Sequence, residues 1–307
     1  MIEIREVTKR YGGTVAVDRL SFTVRPGVVT GFLGPNGAGK STAMRLITGL
    51  DAPTSGTALV NGRSYAEHRA PLREVGLLLE AKAFHPGRTA RNHLRTLATT
   101  HGIGEARVEE VIELTGLHAV RDTRAGGFSL GMSQRLGIAC ALLGDPATVI
   151  LDEPVNGLDP EGVLWARTLL RDLAAEGRTV FLSSHLMSEM ALTADHLIVV
   201  GRGRLIADLP MQELTARASR DVVVVRTPNP SALVERLVGP EVAVSAVDRE
   251  QLRISGLSAA RIGEVALLHG VVLHELRPQS ASLEEAFMEL THGSVEYRGG
   301  TMEERIA

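Results

Sequence analysis

Short apolar runs alternate with amphipathic stretches through the first two-thirds of the chain. Residues 28–33, 148–151 and 179–182 are apolar and rich in β-branched side chains, which is typical of parallel strands buried on both faces. Residues 41–50 and 164–176 have the apolar spacing of helices. This repetition of strand and helix predicts an α/β sheet.

A second pattern begins near residue 220. Its order is strand, helix, strand, strand, helix, strand, which is the ferredoxin-like βαββαβ arrangement. The predicted elements are strand 222–225, helix 231–238, strands 242–247 and 252–255, helix 259–269 and strand 271–276, followed by a short helix at 283–290. We therefore predict one domain over residues 1–218 and a smaller α+β domain over residues 219–307.

A glycine-rich segment follows the first buried run and precedes a predicted helix. It fits the pattern G-x-x-x-x-G-K-[ST], in which backbone N–H groups and a helix N-terminus surround phosphate oxygens. The lysine adds a positive charge for the β- and γ-phosphates, and the serine hydroxyl is a ligand for Mg²⁺. The bland alternative is a chance glycine-rich turn. The predicted nucleotide-binding residues are Gly34, Pro35, Asn36, Gly37, Ala38, Gly39, Lys40, Ser41 and Thr42.

Two acidic residues and a histidine follow later strands. Asp152 ends the buried run 148–151, as in the Walker-B arrangement that holds Mg²⁺. Glu153 comes next and is a candidate base for an attacking water. His185 follows the third buried run, where an imidazole can hydrogen-bond a γ-phosphate. The alternatives are a helix-capping turn for the two carboxylates and a purely structural role for His185.

The segment Phe128-Ser129-Leu130-Gly131-Met132-Ser133-Gln134-Arg135 resembles the L-S-G-G-Q signature of ABC transporter ATP-binding subunits. Further motifs follow in family order over about residues 1–215. By this resemblance Tyr11 matches the aromatic residue that stacks on adenine, Asp159 belongs to the D-loop and His185 is the switch histidine. For Tyr11 the alternative is a core or edge aromatic. The resemblance implies a P-loop NTPase of the ABC ATPase type, with a mixed sheet core and a helical subdomain at about residues 85–145.

Two positions depart from the common family pattern. Glu80 stands where most members have the Q-loop glutamine, and Leu130 and Met132 replace signature residues. These departures, together with residues 282–291, resemble the subgroup of bacitracin-resistance and daunorubicin/doxorubicin exporters. We expect the Glu80 carboxylate to approach Mg²⁺ or the attacking water. The alternative is that Glu80 only ends a strand.

The resemblance implies that two subunits share each ATP molecule. The signature residues of one chain, Ser129, Leu130, Gly131 and Met132, would face the γ-phosphate held by the other chain. We therefore expect ATP and Mg²⁺ as cofactors and a second ATP-binding subunit, a homodimer, as partner. Residues 81–93 are where the family contacts a transmembrane permease subunit; the alternative is an ordinary surface loop.

Composition narrows the function further. The chain has 307 residues, with 33 Lys and Arg against 36 Asp and Glu. This balance argues against nucleic-acid binding through a broad basic face. Cys140 is the single cysteine, which favours a reducing compartment. No apolar run reaches the roughly 18–20 residues of a membrane span, so we expect a peripheral subunit on the cytoplasmic face of the membrane.

These observations predict the ATP-hydrolysing motor subunit of an exporter of an antibiotic, drug or lipid-like compound. One alternative is a soluble ABC ATPase that acts on ribosomes or DNA. Against it, the chain contains one phosphate loop and no sustained heptad pattern. The other alternative is an importer ATPase, against which Glu80 and the altered signature argue. His269 and His274 are isolated, so no catalytic group is predicted in the second domain.

Overall fold

The computed structural model describes residues 1–218, 221–237, 239, 242–280, 283 and 287. Contacts within the chain separate a first unit that includes Met1–Met211 from a second unit, Gln212–Glu289. The boundary predicted from the sequence, at residue 218, is the end of the helix Met211–Ala218, of which all but Met211 belongs to the second unit. Within the described part of the chain, no helix is both long and apolar enough to cross a bilayer.

The first unit is a mixed α/β structure. In chain order it contains β1 (Ile2–Tyr11), β2 (Thr14–Val24), β3 (Val29–Leu33), α1 (Lys40–Ile47), β4 (Ser55–Val60), α2 (Pro71–Glu74), β5 (Val75–Leu78), α3 (Ala90–Thr100), α4 (Glu105–Leu114), α5 (Leu130–Leu142), β6 (Thr148–Asp152), α6 (Pro160–Ala175), β7 (Thr179–Ser184), α7 (Met187–Thr193), β8 (His196–Gly201) and β9 (Arg204–Pro210).

Two sheets organise this unit. The larger has the strand order β5-β6-β7-β3-β8-β9, in which the first five strands are parallel and β9 is antiparallel to β8. The smaller is antiparallel, with the order β2-β1-β4. Since strand and helix alternate through the parallel part, its strands all present their carboxyl ends at one edge.

Aromatic and aliphatic side chains join the two sheets into one core. Phe22 of β2, Phe32 of β3 and Phe181 of β7 form a cluster with ring centroids 5.1–5.8 Å apart. Met44 and Ile47 of α1 are buried in the same cluster. Every residue of β3 is buried, as expected for a parallel strand covered on both faces.

Helices α3, α4 and α5 occupy the stretch between β5 and β6 where the family resemblance implied a helical subdomain. Thr89 caps α3 by accepting a hydrogen bond from the Asn92 N–H, and Ser129 caps α5 in the same way. Leu94, Ile112 and Leu136, one from each helix, are fully buried. Side-chain caps therefore start α3 and α5 locally, and apolar packing holds the three helices together.

The second unit is built on an antiparallel sheet. Its elements are α8 (Met211–Ala218), β10 (Asp221–Arg226), α9 (Pro230–Leu237), β11 (Ala243–Ala246), β12 (Gln251–Ser255), α10 (Ala259–Leu268) and β13 (Glu275–Ser280). The strand order is β11-β12-β10-β13, which is the order that a ferredoxin-like βαββαβ chain adopts. Apolar side chains of β10 and β12 pack against α9 and α10.

The last strand lies four residues later than predicted, at Glu275–Ser280 instead of 271–276. Gly270 has a φ of +62°, and the N–H groups of Gly270 and Val271 donate to Leu267 O and Ala266 O. These two bonds form a Schellman cap, so Val271 belongs to the cap that follows α10 and does not begin a strand. Most of the predicted helix at 283–290 lies outside the described residues.

The phosphate-loop helix is shorter than predicted for the same reason. It ends at Ile47 instead of residue 50. Gly49 has a φ of +66°, and its N–H and that of Leu50 donate to Leu46 O and Arg45 O. A glycine at this position of a helix terminus is the expected stop signal.

Candidate nucleotide-binding site

A cavity of about 500 Å³ opens at the carboxyl ends of β3 and β6. Helix α1 begins directly at this cavity, so its unpaired N–H groups and positive dipole end are available to an anion. The lining residues are Thr14, Val15, Ala16, Asn36, Gly37, Ala38, Gly39, Lys40, Ser41, Thr42, Asp152, Glu153 and Arg202. Most of the predicted phosphate loop and both predicted carboxylates therefore share one cavity.

The backbone of the loop requires glycine at two positions. Gly39 has a φ of +98°, and a Cβ there would lie 2.6 Å from Ala16 O. A Cβ on Gly34 would lie 2.3 Å from Val200 O. Both contacts are far shorter than any side chain tolerates and involve backbone atoms. The glycines are thus needed for the close approach of the loop to its neighbouring strands.

Lys40 lies in the loop and is only 7% exposed. Its Nζ donates to Gly34 O at 2.7 Å and to Pro35 O at 3.2 Å. Burial lowers the pKa of Lys40 below its ordinary value, while the negative charges of Glu153 and Asp152 oppose that shift. The ammonium group is therefore held at the loop beside two carboxylates.

Ser41 and Asp152 are 111 residues apart in sequence but are directly bonded. The Ser41 hydroxyl donates to Asp152 Oδ2 at 2.6 Å. The other carboxylate oxygen of Asp152 accepts a hydrogen bond from the Ser183 hydroxyl. Asp152 pairs with Ser183 in the parallel register of β6 and β7, which explains the second contact.

Glu153 has a left-handed backbone, with a φ of +50°. Its N–H donates to Ser183 Oγ at 3.1 Å, and its carbonyl oxygen accepts from Gln134 Nε2 at 2.9 Å. His185 Nδ1 lies 3.0 Å from both carboxylate oxygens of Glu153. The predicted base and the predicted switch histidine thus form a contact pair at the cavity.

Tyr11 is half-exposed and is not among the residues that line the cavity. Its hydroxyl donates to Asp51 Oδ2 at 2.7 Å, and Lys9 Nζ lies 4.9 Å from the ring centroid. Asp51 also accepts a hydrogen bond from Arg45 Nε at 2.8 Å. Hydrogen bonds from Arg45 and Tyr11 lower the pKa of Asp51 to about 2. The ring is therefore held from its hydroxyl end.

The signature residues lie outside the cavity of their own chain. Ser129 Oγ accepts from the Met132 N–H at 3.2 Å and caps α5. Leu130 is exposed at the first turn, and a Cβ on Gly157 would lie 2.3 Å from Leu130 Cδ2. Asp159, the predicted D-loop residue, accepts from the Gly162 N–H at 2.8 Å and caps α6. Its contacts within the chain are those of a helix cap.

Glu80 is exposed at the end of β5 and does not line the cavity at the phosphate loop. It lines a separate cavity of about 150 Å³ together with Phe84 and His93. His93 is buried, and its Nδ1 has no hydrogen-bond partner among the described residues. Within this chain, Glu80 therefore does not line the cavity at which it is predicted to approach Mg²⁺.

Sequence reasoning missed several residues of the site. Ser183 binds both Asp152 and the Glu153 N–H, but its only sequence signal is a hydroxyl at the end of a strand. Thr14, Val15 and Ala16 enter the cavity from the start of β2, and Arg202 enters from the β8–β9 turn. No local sequence pattern indicates these residues, because strand pairing and sheet packing bring them to the loop.

Two family profiles match the chain. The family described as ABC transporter matches residues 17–156, and a domain of unknown function matches residues 221–284. The first match spans the phosphate loop, the signature segment and the Asp152–Glu153 pair.

Curated relatives extend this similarity. The chain is 41% identical over 220 residues to the bacitracin transport ATP-binding protein BcrA of Bacillus licheniformis, covering 71% of this chain and 72% of that protein. It is 36% identical over 302 residues to the Nod factor export ATP-binding protein I of Paraburkholderia xenovorans, covering 94% and 96% of the two chains. The resemblance inferred from the motifs is thereby confirmed.

Solved structures share the fold of the first unit. An ATP-binding subunit of an ABC transporter superposes with a TM-score of 0.65 at 26% identity, covering 71% of this chain and 92% of that one. The dimeric bacterial ABC transporter cassette MJ0796 superposes with a TM-score of 0.64 at 23% identity, covering 69% and 99%. Together with the relatives and the site geometry, these matches establish that the chain belongs to the ABC transporter family as an ATP-binding subunit with the fold of an ATPase.

Proposed function

We propose that this chain is the motor subunit of an ABC exporter, which hydrolyses ATP to drive efflux of an antibiotic, drug or lipid-like compound through a separate membrane subunit. The observation that carries the proposal is the convergence of Lys40, Ser41, Asp152, Glu153 and His185 at the carboxyl edge of one parallel sheet. The export component draws support from the bacitracin and Nod factor relatives.

The site residues fit a Mg²⁺ ion that is shared with phosphate. Ser41 Oγ and Asp152 Oδ2 are adjacent oxygen donors of the kind that Mg²⁺ prefers. Among the described residues, no three His, Cys, Asp or Glu side chains gather as a metal site. This sparse donor set suits an ion that takes one or two protein ligands and completes its shell with phosphate and water oxygens. When bound, Mg²⁺ neutralises the charge that develops on the phosphates.

Glu153 acts as the base in this proposal. Its carboxylate lines the cavity and is in contact with His185 Nδ1, so it can accept a proton from a water beside the γ-phosphate. His185 orients the carboxylate and donates toward the phosphate oxygens. Lys40 leaves its loop carbonyls and binds the β- and γ-phosphates. We keep Glu80 as a candidate that contributes only after the site closes.

A second ATP-binding subunit, a copy of this chain, completes each site. The first turn of α5, from Ser129 to Met132, lies outside the cavity of its own chain but offers backbone N–H groups to an anion. In a two-fold dimer these N–H groups would meet the γ-phosphate bound by the other copy. In this proposal residues 81–93 contact the membrane subunit, and the assembly works at the cytoplasmic face of the membrane.

The decisive experiment expresses the full chain together with a candidate membrane subunit, chosen from the products of neighbouring genes, in a drug-sensitive bacterial host. We expect lower accumulation of at least one compound from a panel of bacitracin, a lantibiotic and daunorubicin. The matched control is the same pair carrying Glu153→Gln, which should accumulate these compounds like the empty host. Equal accumulation with and without the wild-type pair across the panel, while the purified chain hydrolyses MgATP, would refute the proposed export function.

A further inference from the structure

The backbone of Glu153 is held in a conformation that a non-glycine residue rarely adopts. Its φ of +50° lies in the left-handed region, where the Cβ crowds the neighbouring peptide oxygen. Such a conformation persists at a functional position only when surrounding contacts hold it. The contacts that hold this peptide therefore control where the Glu153 carboxylate points.

Two buried side chains bond to the backbone of Glu153, one at its N–H and one at its carbonyl oxygen. Ser183 of β7 accepts the Glu153 N–H at 3.1 Å, and Gln134 of α5 donates from Nε2 to the Glu153 carbonyl oxygen at 2.9 Å. Ser183 is fully buried and Gln134 is 2% exposed. Because Ser183 and Gln134 are themselves shielded from water, these two side chains do not readily exchange their bonds to Glu153 for bonds to solvent.

Helix α5 touches the same turn a second time. Leu130 at the start of the helix packs against Gly157, whose φ of +75° and close approach leave no room for a Cβ. Gln134 lies about one turn further along the helix. One rigid helix thus contacts both ends of the turn from Glu153 to Gly157.

We infer that Gln134 is a positioning residue for ATP hydrolysis. Its amide fixes the Glu153 peptide so that the carboxylate enters the cavity beside Lys40 and His185. The inference rests on the proposed role of Glu153 as the base. In the proposed dimer, the first turn of α5 meets the nucleotide that is bound by the other copy. The same helix holds Glu153, the catalytic base of its own chain's site.

A structural role predicts a different result from a positioning role. If Gln134 only satisfied a buried carbonyl, its loss would lower the stability of the fold and leave turnover by the folded protein unchanged. If it positions Glu153, its loss lowers kcat, while KM and the Kd for MgATP stay the same, because the loop and Lys40 are untouched.

The first test compares Gln134→Met with a matched control, Leu136→Met, in the full chain. Both substitutions place methionine at a buried position of α5, but only the first removes a hydrogen bond to Glu153. We expect the Gln134→Met variant to lose roughly 10- to 100-fold in kcat with KM and Kd within about twofold of wild type. The Leu136→Met control should keep the wild-type kcat. Wild-type kcat in a folded Gln134→Met protein would overturn the inference.

The second test uses Gln134→Glu, which changes the donor with almost no change in shape. A carboxylate facing the Glu153 carbonyl in a buried position has a raised pKa, and only its protonated form donates to that oxygen. The kcat of this variant relative to wild type should therefore rise as the pH falls from about 8.5 to about 6. The same ratio for Gln134→Met should not change with pH, and a flat ratio for Gln134→Glu would count against the positioning role.

Glu153→Gln, measured in the same assay, distinguishes failure of the proposed base from failure of the role of Gln134. Turnover that survives Glu153→Gln would refute the proposed role of Glu153 as the base, on which the present inference rests. Loss of turnover in Glu153→Gln with normal kcat in Gln134→Met would refute only the present inference. In a protein carrying both substitutions we expect no further loss beyond that of Glu153→Gln, since residues that act as a unit are not additive.

Discussion

In the first unit, β3 is buried along its whole length, whereas in the second unit β12 alternates buried and half-buried residues. The first sheet is mostly parallel, and helical crossovers bring the carboxyl ends of its strands to one edge. The second sheet is antiparallel, so its strand ends alternate and no single edge collects the loops. This difference explains why the candidate chemistry gathers in the first unit.

The described part of the second unit presents exposed apolar side chains and no cluster of candidate catalytic groups. Its described part contains no group of three or more metal-ligating side chains, so His269 and His274 belong to no such group. Leu267 and Leu268 at the end of α10 are 85% and 80% exposed. We propose that this unit supports dimerisation or regulates the ATPase.

The largest effect that tests this comparison is loss of the base. Glu153→Gln should lower ATP turnover by about 100- to 10,000-fold, because an amide cannot accept the proton of the attacking water. ATP binding should persist, which equilibrium binding and phosphate-release assays distinguish. Glu161→Gln makes the same chemical change at an exposed position and should leave turnover unchanged. Normal turnover in the Glu153→Gln protein would show that Glu153 is not the base.

Lys40→Ala should weaken ATP binding by roughly 10- to 100-fold, since it removes a charge-assisted hydrogen bond to phosphate. Lys40→Arg should also bind poorly, because Lys40 is buried at the loop and a larger, planar guanidinium does not replace its compact ammonium group there. Isothermal titration with MgATP measures both changes. Lys82→Ala, at an exposed position, provides the control, and unchanged affinity in Lys40→Ala would contradict the phosphate role.

Removing residues 219–307 tests the second unit directly. We expect the shortened chain to bind MgATP and to differ from the full chain in dimerisation or ATPase rate by about fivefold or more. Analytical ultracentrifugation with ATP and a steady-state ATPase assay report these two quantities, and circular dichroism checks the fold. Identical assembly and turnover in the two chains would refute the proposed role of the second unit.

The smallest effect concerns the support of Tyr11. Asp51→Asn weakens the contacts of Asp51 with Arg45 and Tyr11, so ATP affinity should fall by about two- to fivefold. Binding of inorganic tripolyphosphate, which has no base, should be unaffected. Asp172→Asn is the exposed control. A loss of the same size for ATP and tripolyphosphate would argue against base stacking on Tyr11.

The same substitution tests how the contribution of Asp51 to stability depends on pH. The pKa of Asp51 is lowered to about 2, so its stabilising contribution is present above its ordinary pKa and is lost only as the pH falls through about 2. The difference in the free energy of unfolding between wild type and Asp51→Asn should therefore be constant from about pH 6 to about pH 9. A difference that varied across this range would point to another titrating group.

The sequence predicted the elements and motifs that depend on local chemistry. The glycine pattern of residues 34–41 predicted the loop, and Gly34 and Gly39 prove to be positions where a Cβ meets backbone oxygen. The two β-branched runs before Asp152 and His185 predicted buried strands, and both are strands of the parallel sheet. Val271 was misassigned to a strand because its side chain favours one, while Gly270 commits it to a helix cap.

Contacts between distant segments were beyond the reach of sequence patterns. Ser183 reaches Asp152 through strand pairing, and Gln134 reaches Glu153 across the packing of α5 on the sheet. The same is true of Glu80, which is predicted to approach Mg²⁺ or the attacking water but, within this chain, follows β5 and lines a different cavity from the phosphate loop.

The sequence by itself determined the family, the α/β fold and the set of reactive side chains, because these depend on residue types at short, fixed spacings. Only the tertiary structure decided which of those side chains meet. Hydrogen bonds such as those of Ser41 with Asp152 and of Gln134 with Glu153 join residues that are distant in the chain. Their partners are selected by strand register and helix packing, which depend on the burial of apolar surface throughout the unit.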